Sequence, residues 1–247
     1  MNLINRELNQ FKKVILIVCI FLLILLGYQA LKMVSANLYF YQANQLETNW
    51  YDDKSFSSAT QFEQALRKIE QANLSHPNNP HYLITQGLIY EWGGISNEFD
   101  KKKQKELLLQ AKSYYLKAVE RRPTWPVTWA TLAILKWRLE EIDQEMIDFL
   151  QQADKYGQHT DEVSQAWLEV GFYVYKTKSV YTPQIIKGLR KHLKLSMLDK
   201  RQEIRQSTFS IVKRHNAGLL LCSWSANYDF DTTWYDKNFC QNKKNQP

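Results

Sequence analysis

Few residues in this chain are spaced for chemistry. Asp229-Phe230-Asp231 sets two carboxylates one residue apart, a pattern that can hold a divalent ion against a sugar nucleotide. Nothing around it supplies the nucleotide-binding α/β domain that such chemistry uses, and the tripeptide is common by chance. A phosphate-binding glycine loop, G-x-S-x-G, H-E-x-x-H and C-x-x-C are all absent. The histidines His76, His81, His159, His192 and His215 are scattered without ligand spacing. His76 and His81 flank a turn, where solvent exposure is expected. The sequence therefore assigns no catalytic residue, no metal and no cofactor, and the expected protein is not an enzyme. An enzyme acting on envelope glycans through Asp229 and Asp231 is the rival reading.

Two further groups of side chains have chemical potential. Cys222 and Cys240 bracket a segment rich in Trp and Tyr. In an oxidising compartment they are disulfide candidates, and the bond would constrain the unfolded chain by roughly 3 kcal/mol. Two unpaired thiols are the alternative. The second group is basic. Lys176 to His215 carries eleven Lys and Arg against Asp199 and Glu203, so the whole chain's +7 is concentrated there. Lys187, Arg190, Lys191, Lys194, Arg201 and Arg205 form its candidate patch. Such a patch is read as a solvated helix face or as a surface for anionic lipid or an anionic polysaccharide. Nucleic acid is not an expected partner, because the topology below keeps this segment away from it.

The elements that must position these groups are helical. Hydrophobic residues make up 45% of the 247, ample for a core, while only eight glycines and six prolines interrupt the chain. β-branched alternation is rare. Both features predict an all-α fold.

The N-terminus predicts a membrane segment. Val14 to Leu26 is uninterrupted apolar sequence, extended to Leu31 with only Gln29 polar. Its 18 residues make about 27 Å of helix, near the lower limit for a bilayer. Arg6, Lys12 and Lys13 precede it, and after Lys32 no Lys or Arg occurs until Lys54. The charge bias predicts a cytoplasmic N-terminus and a bulk outside the cytoplasm, in the periplasm of a bacterium. Val34-Ser35-Ala36 also fits a signal-peptide cleavage site, so an uncleaved anchor and a removed leader both stand. The expected organisation is a cytoplasmic end (1–13), a transmembrane helix (14–31), a membrane-proximal segment (32–58), a repeat domain (59–175), basic helices with an aromatic tail (176–240) and a disordered end (241–247).

Within the repeat region, Leu107, Leu108, Ala111, Tyr114, Tyr115, Ala118 and Val119 form one apolar helical face. Pro123 stops that helix and Pro126 opens the next. Ser58 predicts an N-cap for a helix from Ala59, Gly93-Gly94 a stop for the helix opened by Pro80, and Gly157 a stop for the helix near Asp143. Ala111, Tyr115, Ala118, Pro123, Trp129, Leu132 and Ala133 fall at the spacing of the tetratricopeptide repeat signature, which they resemble. Ala65, Ile69, Ala72, Pro77, Leu83, Gly87 and Tyr90 repeat that frame 46 residues earlier, with an insertion near Trp92 to Lys103. Met146, Leu150, Ala153, Trp167 and Leu168 make a third, worn copy, in which Lys136 replaces the aromatic that Tyr90 supplies. An ordinary helical bundle is the alternative to a repeat.

The layout as a whole is similar to the VpsP-like accessory proteins of bacterial exopolysaccharide gene clusters: a basic N-terminus, one span, a small repeat domain containing RPTWP and TWATLA, and a cysteine near the C-terminus. That resemblance implies a role in polysaccharide synthesis or export, with envelope polysaccharide-machinery proteins as partners and no reaction assigned. An accessory to another envelope complex, such as a secretion or pilus system, is the alternative. Stacked repeats make a concave surface. Tyr82, Gln86, Thr131 and Arg138, which lie off the packing faces, are its candidate contact residues.

Overall fold

The computed structural model describes residues 2–53 and 58–225, and every regular element among the described residues is an α-helix. Asp229, Asp231, Cys240 and the 241–247 end lie outside them. The chain divides into two compact units, Met1–Tyr114 and Tyr115–Pro247. The expected repeat domain is thus shared between two units.

The first unit is built on α1 (Asn2–Asp53), α2 (Ala59–Ser75), α3 (Pro80–Ile95) and the opening of α4 (Lys101–Arg121). α1 has 52 residues, about 78 Å of helix. It is the one described helix long and apolar enough to cross a membrane, and its most apolar window is wholly exposed. Beyond that window the same helix becomes core. Ala36, Ala43 and Trp50 are buried at seven-residue spacing, the seam of a helix that packs along one side. They meet Phe62, Ala65, Ile69 and Ala72 of α2 and Tyr82 and Ile89 of α3 in one apolar cluster.

Local signals set the helix starts. The Ser58 side chain accepts from the Gln61 N–H, and Asn79 accepts from the His81 N–H at 3.0 Å beside Pro80. Asp100 accepts from the Lys103 N–H at 2.8 Å as α4 begins. The expected stop at Gly93-Gly94 is wrong: α3 continues through both to Ile95. A Cβ on Gly94 would lie 2.6 Å from Leu108 Cγ, and one on Gly93 would lie 2.8 Å from Phe62 Cε2. These glycines therefore let neighbouring helices approach. Each costs a helix about 1 kcal/mol in propensity, and the contact they allow offsets it.

The second unit continues α4 and adds α5 (Pro126–Arg138), α6 (Gln144–Gly157), α7 (Asp161–Lys176), α8 (Thr182–Met197), α9 (Gln202–Arg214) and α10 (Gly218–Ser225). α5 packs on α6 and α7 on α8, each pair joined by a short turn. The end of α6 returns to the start of α5, where a Cβ on Gly157 would lie 2.5 Å from Pro126. α5, α7 and α9 end alike. Glu140, Lys178 and Asn216 have φ of 61°, 52° and 50°, each 38 residues after the last. After each, the next N–H reaches back: Glu141 to the Lys136 carbonyl at 2.9 Å, Ser179 to Val174 at 3.2 Å and Ala217 to Val212 at 2.9 Å. This is one left-handed helix stop used three times, without glycine at any of them.

Candidate functional site

The expected contact residues divide. Tyr82 and Gln86 are corrected: both are 2% exposed. The Tyr82 hydroxyl donates to Asn37 Oδ1 at 2.8 Å and its ring stacks on Phe40 at 4.9 Å. Gln86 Oε1 accepts from Asn73 Nδ2 at 2.6 Å. The outer part of α1 covers the face that was expected to be open. Thr131 and Arg138 keep partial exposure, with the Thr131 hydroxyl bonded to the Val127 carbonyl at 3.0 Å. Tyr90 stacks on Tyr114 at 5.5 Å beside a cleft of about 440 Å³ lined by Phe62, Leu66, Tyr90, Phe99 and Leu107 with Glu63, Lys103 and Glu106 at its rim.

The basic stretch is largely engaged within the molecule. Lys191 bonds both oxygens of Asp154, at 2.7 and 2.8 Å. Arg201 forks onto Asp161 at 2.7 and 2.8 Å and also pairs with Asp199. Arg205 donates to the Asp199 carbonyl, and the Arg190 guanidinium lies 4.7 Å from the Trp224 ring. Lys187 and Lys194 are exposed. Several of the six candidate cations thus also bind α6, α7 and α10, while Lys187, Arg190, Lys194 and Arg201 remain exposed.

Lys136 is the largest surprise. It is 2% exposed, at the end of α5. Its ammonium meets Glu141 at 3.2 Å, Asp143 at 2.8 Å and Glu145 more closely still. Burial alone would push it down, but the three carboxylates outweigh burial and hold it above the usual lysine range. Asp143 also caps α6 by accepting from the Met146 N–H at 3.0 Å. The three carboxylates have oxygens within 4.8 Å of one another, close enough to share a metal ion. The Lys136 ammonium already supplies the cation they surround, so the arrangement is an ion pair cluster closing the α5–α6 turn.

A second buried group joins α6, α7 and α8. His192 is fully buried, with Nδ1 3.0 Å from Ser164 Oγ and Nε2 2.9 Å from Asp154 Oδ1. Its ring stacks on Trp167 at 5.6 Å. Burial pushes the imidazole down to about 4, against the opposing pull of Asp154. The neutral ring satisfies both bonds: the Ser164 hydroxyl donates to Nδ1 and Nε2–H donates to Asp154. Serine, histidine and aspartate in contact suggest nucleophilic catalysis, but a reacting carbonyl needs access and converging N–H donors. Ser164 and His192 are buried among packed helices, and neither this cleft nor the one lined by Tyr175, Val180 and Pro183 includes them. The group is a cross-link between helices. Glu169 makes a similar one, from α7 to Arg214 and to His215 at 2.7 Å.

Sequence reasoning missed Asp154, Ser164, Glu169 and the burial of Lys136. The available signal was the spacing of Asp154 and His192, 38 residues apart, which equals the repeat of the turns.

Cys222 is disulfide-bonded and Cys19 is free. Thiol labelling of the denatured, unreduced protein should leave Cys222 and Cys240 unmodified while Cys19 reacts. Stoichiometric labelling of both Cys222 and Cys240 would remove the expected bond between them.

No family model matches the chain, and no curated protein matches it.

Proposed function

We propose that the protein is a non-catalytic, membrane-anchored interaction module of the bacterial envelope that supports exopolysaccharide synthesis or export. The observation that carries this reading is the double use of α1. From Val14 to Val34 its apolar side chains are exposed, while Ala36, Ala43 and Trp50 are core. An exposed apolar rod of this length needs a bilayer around it, and the packed continuation ties the first unit to that anchor. Removal of a leader at Ala36 would cut the helix between a fully buried residue and Asn37, which accepts from Tyr82. This favours an uncleaved inner-membrane anchor. Arg6, Lys12 and Lys13 before the apolar run favour a cytoplasmic N-terminus and a periplasmic bulk. Ser164 and His192 are buried and bonded to one another, which favours a structural role for that group over catalysis. The resemblance of the layout to exopolysaccharide accessory proteins supplies the setting.

Four measurements test this. A reporter enzyme active only in the periplasm, fused after Pro247, should be active, and N-terminal sequencing should not start at Asn37. An active cytoplasmic reporter at the same point reverses the orientation. Crosslinking in cells from Thr131 and Arg138 should capture polysaccharide-machinery proteins, and deletion of the protein should abolish polymer. Unchanged polymer after deletion would overturn the role.

A further inference from the structure

We infer that the α2–α3 turn, with Leu74 before it and His76 to Asn79 within it, is seated in the phospholipid headgroup layer of the bilayer that α1 crosses. This rests on the reading of α1 as a membrane span, in either orientation.

The argument begins with register. Trp50 of α1 donates to Gln61 near the start of α2 at 3.2 Å. Farther down α1, the Tyr39 ring lies 5.5 Å from Lys68 Nζ. The two helices are therefore antiparallel, and on this register Leu74 comes level with about Met33 to Asn37. α3 agrees at its own start. Tyr82 bonds Asn37 at 2.8 Å and packs on Phe40, while His76 meets the Tyr82 ring edge-on at 6.0 Å. At its other end Trp92 donates to Glu47 at 3.1 Å. The turn between α2 and α3 therefore points toward the N-terminal, apolar half of α1.

The next step is depth. A hydrocarbon core of about 30 Å takes about 20 helical residues, which counted from Val14 end at Met33, just past the uninterrupted run to Leu31 and Lys32. Headgroups add about 5–7 Å on each side. Asn37 stands four residues past Met33, about 6 Å, so its level lies inside the headgroup layer. The turn that is abreast of it lies there too.

Two independent features fit that place. Leu74 is 69% exposed at this end of α2, an apolar side chain with a lipid boundary at its own level. The carboxylates are also withdrawn. On α1 no Asp or Glu occurs between Glu7 and Glu47, and from Gln71 to Tyr90 there is none either. Lys32 on α1, and Lys68 with the exposed Glu70 on α2, are the charges nearest this end. A turn free of carboxylates, with lysines beside it and its own amides, suits phosphate groups.

Nitroxide labels test this on the full chain with Cys19→Ala, in vesicles of phosphatidylethanolamine and phosphatidylglycerol. The unsubstituted Cys19→Ala parent, labelled in parallel, gives the background. Labels are placed singly at Leu23→Cys, Leu74→Cys and Ile95→Cys, all exposed positions. Collision with a water-soluble nickel chelate should be almost lost at Leu23 and several-fold lower at Leu74 than at Ile95, at the far end of α3. Equal collision at Leu74 and Ile95, with Leu23 shielded, overturns the inference and leaves the span standing. Free collision at Leu23 overturns the span and the inference with it.

Discussion

Lys136→Met should destabilise the second unit by about 3 kcal/mol, seen as a fall of roughly 6–12 °C in the Tm of the detergent-solubilised chain at pH 7. The magnitude follows from what the substitution leaves behind. Methionine fills the volume of the aliphatic stem, so little packing is lost. Glu141, Asp143 and Glu145 remain clustered without their cation, with oxygens within 4.8 Å of one another. Removing one partner of a buried ion pair costs about 3–5 kcal/mol. The low end applies because these carboxylates are 34%, 47% and 48% exposed and water reaches them. The same geometry predicts a rescue. With the ammonium gone, the cluster can take a calcium ion, whose carboxylate ligands lie at about 2.3–2.6 Å. Calcium should therefore raise the Tm of Lys136→Met and leave the parent unchanged. Glu145→Gln in the Lys136→Met background should recover part of the loss by removing one repelling charge. A Tm equal to the parent's would show that solvent already screens the cluster and that the ammonium contributes nothing.

Lys136 also shows where the sequence is readable and where it is not. Helix starts were legible because each has a local chemical cause: the Ser58 and Asp143 side chains cap the first turns of α2 and α6, and Pro80 and Pro126 open α3 and α5. Lys136 itself was visible as the residue that breaks the aromatic frame. Its burial was not, because the carboxylates that permit it come from the following turn. The stops were harder. Gly93-Gly94 reads as a terminator by type, but its role is close approach to Phe62 and Leu108. Glu140, Lys178 and Asn216 terminate helices in a conformation that favours glycine, and share no residue type that would reveal their common job.

The misplaced contact residues have a different cause. Periodicity along α3 puts Tyr82 and Gln86 off the face that packs on one neighbour, and it cannot count neighbours. α1 doubles as a packing partner, so that second face is closed. The partners of the basic stretch are hidden from the sequence likewise. Lys191 and Arg201 find Asp154 and Asp161 at separations of 37 and 40 residues, about one hairpin repeat away. Charge counted along the chain is blind to pairs one repeat apart.

His192 should make the second unit lose stability as pH falls from 6.5 toward 4. The folded imidazole is held at about 4 against an ordinary 6.5, mainly by burial. The unfolded chain therefore binds more protons across that window, and stability rises with pH within it. The contribution is fully present above 6.5, falls through the window and is exhausted below about 4. The full difference corresponds to about 3 kcal/mol. The surroundings explain why the charged ring is not rescued. Asp154 favours protonation, but Lys191 already bonds both its oxygens, and Lys191 and His159 both oppose a further positive charge. Protonation would also oblige Nδ1 to donate where it now accepts from Ser164. His192→Gln cannot titrate, yet its amide can accept from Ser164 and donate to Asp154. The variant has its own cost at every pH, so the informative quantity is the change between pH 7 and pH 4. Urea unfolding at both values should show the parent losing about 2–3 kcal/mol more than His192→Gln. Carboxylates elsewhere titrate in both proteins and cancel in this difference. Parallel losses would mean that the folded imidazole accepts its proton as readily as the unfolded one, and the Ser164–His192–Asp154 cross-link would then have to hold a charged ring.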